Sequence, residues 1–101
     1  MRSKTELHVG FAGEMDASTV AEFRGRLSHW LSVACNTNIP VLLADFEDVT
    51  FVDSNTVRTL IVIHQEASDS GVSFKVHRPQ SFVHRVLEIS NLLHLVDEGV
   101  K

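Results

Sequence analysis

Apolar residues along this chain recur at two spacings, every second position in some stretches and every third or fourth in others, and the two alternate. Residues 7–13, L-H-V-G-F-A-G, set Leu7, Val9 and Phe11 against His8 and Gly10, which predicts a strand with one face on the core. Gly13 permits a sharp exit from it. Capping residues then crowd together. Asp16 or Ser18 can accept from the first free amides, and Thr19 and Glu22 have the spacing of a capping box, so a helix should begin between residues 16 and 19. Its apolar stripe is Val20, Phe23, Leu27, Trp30, Leu31 and Ala34, recurring at intervals of three and four. Residues 36–40, polar and closed by Pro40, form the connection out of it.

Residues 41–46, V-L-L-A-D-F, are continuously apolar up to Asp45, as in a central strand covered on both faces or nearly so. Residues 47–52 then read as a loop with a short extended piece leading to Asp53. From Ser54 the period is helical again. Val57, Leu60, Ile61, His64 and Ala67 share a face that Val62 and Ile63 widen, which predicts the most buried helix of the chain. Gly71 ends it. Residues 72–77 alternate as a strand, 78–81 turn, and Phe82, Val83, Val86, Leu87 and Ile89 supply the apolar side of a third helix closing near Asn91. Residues 92–96 are apolar but too few to classify, and 97–101 read as a tail. Alternation of this kind implies parallel strands joined by right-handed crossovers in an α/β layer. Three strong strands and a weak fourth are too few for a full dinucleotide-binding fold.

Composition narrows the function classes. A chain of 101 residues, 44% apolar and 22% charged, has the size and makeup of one domain with a real core, spanning residues 1–101. The formal net charge of −4, with nine Lys and Arg scattered along the chain, speaks against a general nucleic-acid binder. No apolar run approaches the roughly eighteen residues of a membrane span, and the start M-R-S-K-T-E leads into no signal-like segment, so no membrane contact and a cytoplasmic location are expected. Cys35 is the single cysteine; it reads as a small, semi-buried residue at a helix end.

In open parallel sheets, reactive groups collect where strand C-terminal ends meet helix N-termini. Two such joints, residues 13–19 and 50–55, carry acids and hydroxyls, and together they would bring Asp16, Asp53 and Ser54 into one neighbourhood. A phosphate-binding glycine loop and a complete dinucleotide fingerprint are both missing. Ser54 has no flanking glycines for a nucleophile elbow. The six histidines show neither H-x-x-x-H nor H-x-H spacing. No catalytic residue, metal site or cofactor is therefore expected, and a hydrolase built on Ser54 and one histidine is the remote enzymatic alternative. Two readings of the Asp53-Ser54 pair stay open. Either residue can be a helix cap, worth about 1 kcal/mol. Alternatively Ser54 is a modification site, where a phosphate adds about −1.5 to −2 charge that free amides and the helix dipole tolerate.

The strings G-E-M-D-A at 13–17, V-L-L-A-D-F-E-D-V-T-F-V-D-S at 41–54, G-V-S-F-K-V at 71–76 and S-F-V-H-R-V-L-E-I-S-N-L at 81–92 resemble, in order and spacing, the STAS domain of bacterial anti-sigma-factor antagonists and of sulfate-transporter cytoplasmic tails. The resemblance implies a small mixed, mainly parallel sheet of about four strands packed with about four helices, without catalysis. In the antagonist branch the unmodified domain binds an anti-sigma factor that is also a serine kinase, which releases the sigma factor. Phosphorylation of the serine breaks that binding and a phosphatase restores it. By position, Ser54 matches the phospho-acceptor, Asp53 the acid before it and Asp16 the acid of the first loop, while Asn55, Thr56 and Arg58 fall on the expected partner-binding surface. Arg58, four residues after Ser54, has the spacing to pair with a phosphate. The family usually reads D-S-S-G-L or D-S-T-G-L where this chain has D-S-N-T-V, so Thr56 adds bulk at a position where glycine lets a partner approach. A monomer or weak dimer is expected. The alternative is a constitutive STAS scaffold subunit of a signalling or transport assembly.

Overall fold

The computed structural model describes residues 5–97, in which strands and helices alternate. The order is β1 (Glu6–Met15), α1 (Val20–Asn36), β2 (Val41–Val52), α2 (Ser54–Asp69), β3 (Ser73–His77), α3 (Ser81–Ile89), a 3₁₀ turn (Leu93–Leu95) and β4 (Val96–Asp97). The sheet runs β1-β2-β3-β4 and every pairing is parallel. Because the strand order never reverses, right-handed crossovers lay all three helices on one face. Burial agrees. Val9 and Phe11 of β1, Leu42, Ala44 and Phe46 of β2, and Phe74 and Val76 of β3 join Phe23, Leu27, Ile63, Val83 and Leu87 of the helices in a single core. Within it the Phe11 and Phe23 rings meet edge to face at 4.9 Å, and Phe46 lies 5.9 Å from Phe23.

The other sheet face carries His8, Gly10, Asp45, Lys75 and His77, and none of the helices among the described residues packs there. Leu43 is nevertheless only 2% exposed on that face. Its lateral neighbours in the register are His8 and Lys75, and the His8 and His77 rings meet edge-on at 5.9 Å across β2. The apolar run at 41–46 is thus covered on both sides, once by helices and once by its neighbours' long side chains.

Two strands outrun the sequence pattern. β2 continues through residues 47–52, which read as a loop, and β1 continues past Gly13 to Met15. The cause is register. Gly10 faces Asp45 but Ala12 faces Asp48, and Gly13 faces Val49 but Glu14 faces Phe51, so β2 gains a residue at each of two bulges. Its buried positions there, Phe46, Val49 and Val52, fall every third residue rather than every second. Gly13 takes a φ of +87° inside the strand, so it accommodates an irregularity rather than an exit. The outer edge of β1 is blunted at Gly10, whose carbonyl accepts from Arg26 Nη2 at 3.1 Å while the guanidinium sits 4.5 Å from the Phe11 ring centre.

The helices correct three further expectations. On α2 the buried residues are Thr56, Thr59, Leu60, Ile63 and Ala67, whereas Ile61 is 48% exposed, so the inward face is rotated toward the two threonines. On α3 only Val83 and Leu87 are buried; Phe82 and Ile89 face outward. Cys35 is exposed rather than semi-buried. Gly71 (φ +78°) and Asn91 (φ +61°) follow α2 and α3 in the left-handed conformation that ends a helix. Residues 92–96 divide between the 3₁₀ turn and β4, with Leu92, Leu95 and Val96 buried. The expected tail lies outside the described residues from 98 onward. Among the described residues no helix is long and apolar enough to cross a membrane.

Candidate functional site

Met15 and Val52 are register partners, so β1 and β2 end side by side and Asp16 and Asp53 leave the sheet at the same rim. One backbone atom ties the two joints together. The Met15 carbonyl accepts from the Asp53 N–H at 3.2 Å and from the Thr56 hydroxyl at 2.7 Å. Thr56 is fully buried and bolts the first turn of α2 to the end of β1. It does not face a partner, contrary to the surface position expected for it, and its bulk at the family's glycine position lies inside the protein. Thr56→Val keeps the shape and removes the hydroxyl; it is expected to cost about 1–3 kcal/mol in denaturant unfolding.

Asp53 is the α2 cap. Its backbone is extended (φ −119°, ψ −173°) and its Oδ1 accepts the Thr56 N–H at 3.1 Å, while Asn55 Nδ2 donates to Oδ2 at 3.4 Å. Partial burial opposes ionisation of this carboxyl, but the bonds from Thr56 and Asn55 outweigh it and hold its pKa below the ordinary carboxylate value. A folded-state pKa below the unfolded one stabilises at higher pH, and that contribution fades as pH falls through the folded value. Asp53→Ala is therefore expected to cost about 1 kcal/mol near neutrality, with the gap to wild type closing below about pH 4 in pH-dependent unfolding curves.

Because Asp53 serves as cap, Ser54 does not. It is the first residue of α2, exposed, and its hydroxyl makes no hydrogen bond among the described residues. Arg58 lies one turn further on, exposed and without an ion pair among the described residues; Asn55 is half-buried. In the first loop, Asp16 Oδ1 accepts from the Ser18 hydroxyl at 2.7 Å and the Ser18 N–H at 2.9 Å, and these bonds hold the Asp16 carboxyl below its usual range. The expected capping box does not form. Thr19 is the α1 cap without a side-chain cap bond, since its hydroxyl accepts from the Asp16 N–H at 3.0 Å and donates to the Glu14 carbonyl at 2.9 Å.

The site also contains parts that the sequence reading lacked. The Met15 carbonyl is backbone and leaves no residue signal. Ser18, expected as a candidate cap, instead donates to Asp16 two residues before it, the spacing of a local side-chain-to-backbone turn. Phe51, at the end of β2, stacks on Phe82 of α3 with centroids 5.7 Å apart and planes 14° apart. Five of the six histidines have ring contacts elsewhere: His8 with His77, His29 with Trp30, and His64 with His94. The described residues hold no group of three or more His, Cys, Asp or Glu arranged to bind a metal.

The chain is similar in structure to the anti-sigma factor antagonist SpoIIAA in its unphosphorylated form, with a TM-score of 0.77, 19% identity, and coverage of 100% of this chain and 85% of that one. The Bacillus cell fate determinant SpoIIAA in the phosphorylated form gives 0.69 and 18%, covering 100% and 88%. The STAS domain of a SulP transporter from Vibrio cholerae gives 0.71 and 17%, covering 97% and 73%. At such identities these likenesses establish a shared fold. A comparison with curated protein sequences gives no match. The family model described as "Mlab, STAS domain" matches residues 2–97, and on that match the chain belongs to the STAS domain family.

Proposed function

We propose that this domain is an anti-sigma-factor-antagonist-like interaction module switched by phosphorylation of Ser54. Its partner is an anti-sigma factor that doubles as a serine kinase, with a phosphatase to reset the switch. The observation that carries the reading is the division of labour at the start of α2: Asp53 caps the helix, leaving the Ser54 hydroxyl exposed and unbonded among the described residues. A phosphate there meets free amides and the positive end of the helix dipole, so the fold tolerates it. Outside the helix its effect is opposite. Added to Asp53 and Asp16 on the same rim, it makes the surface strongly anionic, and a partner shaped for a neutral hydroxyl meets repulsion and a desolvation cost. Asn55 and Arg58 belong to the surface that reads this state; Thr56 supports it from below.

A second reading, a constitutive scaffold subunit of a transport assembly, is favoured by the likeness to transporter STAS domains. Incubation with the cognate kinase and ATP separates the two. Phosphate is expected on Ser54, with Ser54→Ala unlabelled; equal labelling of both chains contradicts the switch.

A further inference from the structure

We infer that α3 carries a self-association surface through which two copies of this chain pair as an antiparallel, two-fold dimer. This inference is independent of the reading of Ser54. Among the described residues five large apolar side chains are exposed, and four of them, Phe51, Phe82, Ile89 and Leu93, lie on α3 or on segments that touch it. The cause is visible in the helix period. Val83 and Leu87, four apart, form the inner stripe and are fully buried. Phe82, Val86 and Ile89, at i, i+4 and i+7, form a second apolar stripe beside it. Phe82 is 51% and Ile89 75% exposed, while Val86 is partly buried against the core. The stack of Phe51 on Phe82 extends this stripe at the helix N-terminal end.

Charge selects the occupant. On the flank of the stripe away from the core stand Arg85 and Glu88, both exposed and neither in an ion pair among the described residues. When a second α3 lies antiparallel across the first, Phe82 of each copy meets Ile89 of the other. Same-side flanks then face each other, so Arg85 of each copy meets Glu88 of the other and two ion pairs close by symmetry. A parallel pairing instead turns this flank toward the opposite, core-side flank of the other copy, so neither ion pair forms. The surface is therefore complementary to itself in one orientation. Its apolar area is on the order of a few hundred Å² per copy. That is below the roughly 800 Å² per partner of tight complexes, so association belongs in the micromolar to about 1 mM range.

Sedimentation equilibrium of the full chain up to about 1 mM tests this directly. A monomer–dimer equilibrium is expected, and Phe82→Asp and Ile89→Asp should each weaken it by about tenfold or more. Both side chains are exposed, so circular dichroism should show the fold unchanged. Arg85→Glu alone should also weaken the dimer, and Arg85→Glu combined with Glu88→Arg should restore it to within about threefold of wild type. A chain that stays monomeric throughout, a dimer that Ile89→Asp leaves intact, or a double variant no better than the single one overturns the inference.

Discussion

Replacing Phe46 with alanine is expected to lower the unfolding free energy by about 3–5 kcal/mol, a large share of what a domain of this size has to lose. Phe46 is fully buried and lies within 6.1 Å of the Phe11 ring and 5.9 Å of the Phe23 ring, so its side chain joins β1, α1 and β2. It also lies inside the first register irregularity, between Asp45 and Asp48, where strand alternation gives way and the backbone alone holds less of the register. A cavity at this point loosens both strands that carry the rim. Denaturant unfolding measures it; a loss under about 1 kcal/mol would mean that the three-ring cluster is not the anchor of β1.

The second large effect falls on binding and leaves stability almost untouched. Ser54→Asp is expected to weaken partner affinity by roughly 10- to 100-fold, about 1.4–2.8 kcal/mol, while unfolding changes by no more than about 0.5 kcal/mol. The stability side follows from geometry: Ser54 is exposed in the first turn of α2, where an acidic side chain suits the helix dipole, and Asp53 already holds the cap. Ser54→Ala should be equally mild for the same reason. The binding side follows from adding a third acid to a rim that already carries Asp53 and Asp16, whose hydrogen bonds hold their carboxyl pKa values below the ordinary range. Quantitative pull-downs alongside denaturation curves separate the two quantities. Loss of binding accompanied by loss of fold would remove the distinction on which the switch depends.

Much of this arrangement is legible in the chain. The helical period of 20–34, the clean alternation at 72–77 and the stops at Gly71 and Asn91 each rest on local chemistry, and local chemistry is what the structure uses there. The meeting of Asp16 with Asp53 and Ser54 on one rim is likewise a consequence of parallel order, confirmed by the Met15–Val52 register. What escapes the sequence is set by tertiary context. Residues 47–52 look like a loop because two bulges replace the period of two by one of three, and nothing in E-D-V-T-F-V announces a bulge. Thr56 is assigned to the partner surface by its position in the family motif, yet a buried hydroxyl is tolerated where a carbonyl accepts it, and here the Met15 carbonyl does so. The buried face of α2 is turned toward Thr56 and Thr59, and Ile61 is left outside. On α3 the error is the reverse: two apolar stripes are present, and the fold has room to bury one.

In the proposed switch, the state of Ser54 decides whether the domain binds its partner. The most direct measurement is the affinity of the purified partner for three forms of the chain, unmodified, phosphorylated on Ser54, and Ser54→Ala. The unmodified and Ser54→Ala forms should bind within about threefold of one another, the phosphorylated form should bind at least about tenfold more weakly, and phosphatase treatment should restore it. Equal affinity of the phosphorylated and unmodified forms would contradict the switch and leave Ser54 as an exposed serine beside a helix cap.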